Sequence, residues 1–349
     1  MDFGQALRQL GRSIRAWIAE LFAWLRKTSR ETIRRTSEWA AETEGPLAKF
    51  VRLRGMWRVV VFLILVLIAV YPLAAWWAST IDDDPDFGMA ANSLKLNESL
   101  AVANAAALLD REVNTNGWTP NDTVLWPTTL LDNMPNYQQG MLTALAHFSA
   151  ELAASVPHDE DLKEAKELLE YPADVWIWQP SALFWPASSE HKYNNAVEVL
   201  RRYNGRLATN AALFDRRANI LASMLTRVTA DLSATASAID ARIADRSGFL
   251  FINNKADDLF YRSKGQMYGY YIILKGLEHD FAGVIKERHL ETNWRRMMDS
   301  LRHAVALRPW VVLNAEPDSS FATCVLCSEG FYLLRARNEM QGIVSSLAK

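Results

Sequence analysis

The sequence predicts a mainly α fold, with one transmembrane helix followed by a helical-bundle extramembrane domain containing a long helix. Three observations predict it. Val59 to Trp77, VVVFLILVLIAVYPLAAWW, runs nineteen positions without a charged side chain. At about 1.5 Å per residue it covers roughly 28 Å, close to the hydrocarbon thickness of a bilayer. Beyond it, apolar residues recur at steps of three and four, and few segments alternate with period two, which leaves little for a sheet.

Amphipathic rings favour the headgroup region, and Trp57, Tyr71, Trp76 and Trp77 sit near the ends of the run. Charge orients it. Before Val59 there are twelve bases against six acids, a net of +6; from Asp82 onward 26 bases face 34 acids, a net of −8. Lys49, Arg52, Arg54 and Arg58 precede the run, and Asp82, Asp83 and Asp84 follow it. The positive-inside rule therefore expects a cytoplasmic N-terminus, with residues 82–349 across the membrane. A cleaved signal peptide is the rival reading, but the basic region before the run is far longer than such a peptide carries. The expected organisation is a cytoplasmic amphipathic basic tail (1–45), a juxtamembrane segment with the transmembrane helix 59–77 (46–81), a linker (82–93) and a helical domain (94–349).

In the tail, Phe3, Leu7, Leu10, Ile14, Trp17, Leu21 and Trp24 form one helical stripe among arginines. Such a helix lies on the inner leaflet, pairs as a coiled coil, or docks on a cytoplasmic partner. Past the linker, an Ala-rich helix from about Leu94 to Val113 ends at Asn114-Thr115-Asn116-Gly117, residues that tolerate left-handed dihedrals. Trp118 to Pro135 is irregular. A helix then carries Tyr137, Met141, Leu145, Phe148 and Leu152 on one face, and a shorter one spans about Asp159 to Leu169 with its acids first. The aromatic stretch 171–186 is broken by prolines. From about Asn195 to Arg246 the three-four step continues without a miss, which predicts a helix of about 75 Å with a break possible at Gly205. Phe249–Ile252 reads as a strand or a buried turn. Further helices are expected over about 254–276, 281–307 and 329–347. Gly265 and Gly269 sit four apart and invite close helix–helix approach.

The single span behind a basic tail, LLDNMPNYQQGM at 130–141 and YRSKGQMYGYY at 261–271 together resemble a bacterial family of unknown function, domain of unknown function 2333. The resemblance runs from the span to the C-terminus. It implies a single-pass inner-membrane protein with an uncharacterised helical domain, hence periplasmic here, and it implies no activity.

Four constellations are candidates for chemistry. Cys324 and Cys327, the only cysteines, form a C-x-x-C pair. A structural disulfide, exchanging thiols and a metal site are the readings, and the oxidising side of the membrane favours the bond. Zinc would need four ligands, and no second pair or H-x-x-x-H is present. Trp176, Trp178 and Trp185, with Trp118 and Trp126, offer faces for glycan stacking or pack in the core. Asp132, Asn133, Asn136 and Gln138 are a polar surface or ordinary turn and cap residues. Tyr261, Lys264, Gln266, Tyr268, Tyr270 and Tyr271 line a polar groove or belong to a partly buried helix.

No Gly-rich phosphate loop, G-x-S-x-G elbow or H-E-x-x-H occurs, and no cofactor or metal is expected. The expectation is a non-catalytic inner-membrane protein whose periplasmic domain binds or scaffolds cell-envelope components. The alternatives are a membrane-tethered glycan hydrolase and a C-x-x-C thiol–disulfide protein. Expected partners are the lipid bilayer and either envelope proteins or peptidoglycan, with no nucleic acid. A homo-oligomer through the N-terminal or the long helix is the remaining option.

Overall fold

A computed structural model describes residues 60–62, 64, 80–122, 132–176, 187–245, 254–309, 312 and 324–348. The chain divides into one unit, Met1–Tyr71, and a second, Pro72–Lys349. Of the first, only Val60, Val61, Phe62 and Ile64 are described, and all four are helical. The tail stripe and the rest of the expected span lie outside the described residues. Among the described residues no helix is long and apolar enough to cross a membrane.

The second unit is helical wherever it is regular, and among the described residues it contains no strand. Its helices are α1 (Leu100–Asp110), α2 (Asn133–Ser155), α3 (Glu160–Leu169), α4 (Ser189–Ala208), α5 (Ala218–Ala244), α6 (Asn254–Asp280), α7 (Ala282–Glu287), α8 (Glu291–Val305) and α9 (Val325–Leu347). The long pair α2 and α6 forms the centre. Helices α1, α3 and α4 pack on one side of it, and α5, α8 and α9 on the other. The buried apolar residues form one continuous cluster.

Glycines set the central pair. A Cβ on Gly140 would meet Arg262 O at 1.9 Å, and one on Gly265 would meet Tyr137 O at 1.9 Å. Gly269 faces Ala144 and Met141, and Gly276 faces the backbone of Ala101 in α1. The two helices therefore touch backbone to backbone, a distance no larger residue allows. Caps fix the ends. Ser99, Asp159 and Ser188 accept from first-turn amides of α1, α3 and α4. Asp280, at the end of α6, accepts from Ser99 Oγ (2.6 Å), Leu100 N (2.9 Å) and Ala101 N (3.0 Å), so one helix caps another that begins 180 residues earlier. Helix α1 passes into a π-helical turn, Arg111–Thr115, and the chain leaves it at Gly117 with φ +82°, where the left-handed stop was expected.

The expected long helix is two helices. Residues 209–217 leave the helical path, with Asn210 at φ 56°, while Gly205 lies inside α4. The periodicity runs through the break because Phe214 is buried from a loop, its ring 5.9 Å from that of Phe281. Tyr203 also donates its hydroxyl to Leu213 O at 2.7 Å, which fixes the turn. The seam of α5 (Leu221, Leu225, Val228, Leu232, Ile239) is buried within the bundle rather than offered to a second chain. The helix expected over 281–307 likewise breaks into α7 and α8 at His289, φ 54°. Helix α1 starts at Leu100 rather than Leu94, because Asn97 takes φ 70°. Phe249–Ile252 lies outside the described residues.

Candidate functional site

The stretch expected as a linker is laid along the bundle and gripped by its charged side chains. Asp82 O accepts from Arg111 Nη2 (2.9 Å) and from the Tyr137 hydroxyl (3.3 Å). Tyr268 donates its hydroxyl to Asp84 O at 2.8 Å. Lys275 Nζ donates to Pro85 O (2.9 Å) and Phe87 O (3.0 Å), and the Arg111 guanidinium lies 4.2 Å over the Phe87 ring. Met89 N donates to Asn104 Oδ1 at 2.8 Å. Most of these acceptors are main-chain oxygens, so the segment is held by its backbone path as well as by its side chains.

Asp83 is the exception and the deepest contact. Its carboxylate meets Lys264 Nζ at 2.6 Å, with both side chains 3% exposed, and pairs with the exposed Arg308. Lys264 Nζ also donates to Leu307 O at 2.6 Å. Burial pushes the Lys264 ammonium below the usual lysine range, and Asp83 draws it back. Beside Lys264 in sequence, Ser263 Oγ donates to Glu329 Oε1 at 2.7 Å. Glu329 is wholly buried and its Oε2 has no partner, so burial pushes its carboxyl up to about 8. Burial thus favours its protonated form near neutral pH.

Arg111 and Glu112 are buried within the π-helical turn, a kind of turn frequent at functional sites. Glu112 accepts from Arg111 Nε (3.0 Å), Asn116 Nδ2 (3.1 Å) and Gln138 Nε2 (3.2 Å). Burial still pushes its carboxyl up, while Glu112, Tyr268 and Asp82 together hold the Arg111 charge above the arginine range despite desolvation.

A second cluster joins α2, α5 and α6. Arg227 Nη2 donates to His147 Nε2 at 2.7 Å, which leaves the proton on Nδ1, 2.7 Å from Asp231 Oδ2. The Tyr270 hydroxyl donates to the same oxygen. These bonds keep Asp231 below the usual carboxylate range in spite of its burial.

The residues singled out from sequence fall into place as follows. Lys264 and Tyr268 converge on the strap, whereas half-buried Tyr261 has its hydroxyl pushed up to about 12 by burial, the charges of Asp257 and then Asp83 adding to it. Tyr270 and Gln266 (to Thr235, 2.6 Å) bridge helices, and Tyr271 is buried, so this set fills an interface rather than lining an open groove. Asp132 stands at the N-cap of α2 but makes no side-chain cap. Its carboxyl turns to Asp258, to which Asn136 also donates at 3.0 Å. Burial and the neighbouring Asp132 carboxyl push Asp257 and Asp258 up to about 6, while the Asn136 amide draws Asp258 back. Asn133 opens α2, half-buried, and Gln138 is buried between Glu112 and Thr119. Trp118 is core, donating to Ala173 O at 2.8 Å, whereas Trp176 is 40% exposed. Trp126, Trp178 and Trp185 lie outside the described residues. Cys324 and Cys327 are joined as a disulfide. Asp83, Arg111, Glu112, Lys275, Arg308, Glu329 and His147 were not visible as site residues, since each acquires its role from a partner distant in sequence. The one local signal was a lysine inside the otherwise glycine- and tyrosine-rich stretch 261–271.

These features define an all-helical bundle with an acidic strap clamped to it and, among the described residues, no cluster of side chains fit to hold a metal ion. Residues 51–247 match the family described as an uncharacterized protein conserved in bacteria, DUF2333, and the chain belongs to it. The match takes in the motif at 130–141 and ends before that at 261–271, so it is shorter than the resemblance that reached the C-terminus. No curated protein and no solved structure matches the chain.

Proposed function

We propose that the chain is anchored once in the bacterial inner membrane through Val59–Trp77, with its helical domain in the periplasm binding or scaffolding envelope components and performing no chemistry on glycan. The charge step of +6 to −8 across the run supports the orientation. The clamp on residues 82–89 carries the scaffold reading. The first described residues past the apolar run are not a free tether, because Lys264, Arg308, Arg111, Tyr268 and Lys275 hold them to the bundle. Residues 82–89 therefore belong to the folded domain and are not a free linker ahead of it. A reporter fused after Lys349 that is active only outside the cytoplasm, with in-cell crosslinks to envelope proteins, is the expected result. A reporter active only inside would overturn the orientation, and cleavage of peptidoglycan by the purified chain would overturn the absence of glycan chemistry.

A further inference from the structure

The disulfide between Cys324 and Cys327 closes across the first turn of α9, with Cα atoms 5.2 Å apart. Both cysteines belong to one turn, so the bond joins no two elements of the fold. Helix α9 is already held by Leu326, Leu333, Ala336, Met340 and Ile343, which are buried. A ring of four residues also removes the least entropy from the unfolded chain, so stability is a poor reason for the bond.

The two sulfurs are not equivalent. Cys324 is the N-cap, 7% exposed, and its Sγ accepts from Cys327 N at 3.2 Å. That amide, with the helix N-terminus behind it, is in place to stabilise a thiolate on Cys324. Cys327 is half-buried, the more exposed residue of the pair. One turn further on the same face stands Phe331, 60% exposed. Its ring meets Tyr332 edge-on at 5.3 Å, and Tyr332 stacks on His303 at 5.3 Å. An exposed aromatic side chain one turn from the more exposed cysteine suits an apolar stretch of polypeptide.

We propose that this pair is a thiol–disulfide exchange site that oxidises a dithiol in an apolar protein segment resting on Phe331. A thiolate of the segment attacks Cys327 Sγ, the Cys324–Cys327 bond breaks, and Cys324 leaves as the stabilised thiolate. The segment's second thiolate then attacks its own sulfur in the mixed disulfide and releases Cys327. The segment loses two electrons and two protons and gains a disulfide, and the chain becomes the dithiol, one equivalent per chain.

The test uses the full chain in detergent micelles and is independent of its orientation in the cell. The oxidised chain is mixed with a synthetic leucine-flanked dithiol peptide, and separately with reduced glutathione, and thiols are trapped by alkylation and read by mass spectrometry. One equivalent of peptide is expected to be oxidised, with the melting temperature unchanged on reduction. With glutathione disulfide, Cys324→Ser should trap a mixed disulfide on Cys327, and Cys327→Ser roughly tenfold less, following access. Phe331→Ala should slow exchange with the peptide but not with glutathione. A bond that survives millimolar reduced glutathione in the folded chain, equal trapping by the two serine variants, or a large fall in melting temperature on reduction would each overturn the proposal.

Discussion

The carboxylate of Asp83 sits 2.6 Å from the ammonium of Lys264, and both groups are withdrawn from water although they lie 181 positions apart in the chain. An ion pair so placed contributes little net stability, because desolvating two charges offsets their attraction. Its effect is directional: it favours the one path of the strap that keeps both charges satisfied.

Removing one partner should therefore be far worse than removing both. Asp83→Ala strands the Lys264 ammonium with only Leu307 O, and we expect a loss of about 3–5 kcal/mol in urea unfolding of the full chain. The pair Asp83→Leu with Lys264→Met should lose much less. A double variant as damaged as the single one would show that the strap is held without this contact.

Glu329 predicts an alkaline weakness. Its folded value of about 8 lies above the ordinary 4.5, so the folded state holds the proton more tightly than the unfolded one. The stability this represents is fully present below about pH 4.5 and drains away as pH rises through 8. Glu329→Gln, which keeps the shape of the neutral acid, should leave stability unchanged near pH 5 and raise it above pH 8 by about a few kcal/mol, read as a higher melting temperature. Parallel pH profiles for the two proteins would refute the neutral, buried acid.

The glycines separate close approach from mere flexibility. Gly265→Ala puts a methyl 1.9 Å from Tyr137 O, a main-chain atom that cannot yield, and should cost more than about 3 kcal/mol or prevent folding. Gly205→Ala meets nothing within 4 Å inside α4 and should be neutral or stabilising by up to about 1 kcal/mol. Thermal unfolding of the two variants checks both, and similar losses would contradict the α2–α6 contact.

Asp280 tests the cap supplied from afar. Asp280→Ala leaves the Ser99 hydroxyl and the amides of Leu100 and Ala101 without their acceptor. The expected loss is about 2–3 kcal/mol, with hydrogen exchange accelerated first in α1. Unchanged protection of α1 would mean that Ser99 alone suffices.

Much of the helical layout follows from local rules. Asp159 ahead of its acidic first turn, Gly117 after the α1 turn and the apolar stripe of α2 are all readable because their causes lie within a few residues. The break at 209–217 is not, since Phe214 keeps the helical period while serving a loop, and only its contact with Phe281 distinguishes the two. The polar set at 261–271 was legible as a set but not as a grip, because what it holds lies near residue 83.

What the sequence by itself determined is the helical class, the uncharged run of Val59–Trp77, the charge step across it and the glycines that let helices touch, for each depends on spacing along the chain. Only the tertiary structure decided that residues 82–89 are a clamped strap, that the Glu329 carboxyl is wholly buried and that the fifty-residue period is two helices. Burial and pairing between distant segments set these, and periodicity carries no record of what a side chain will meet across the core.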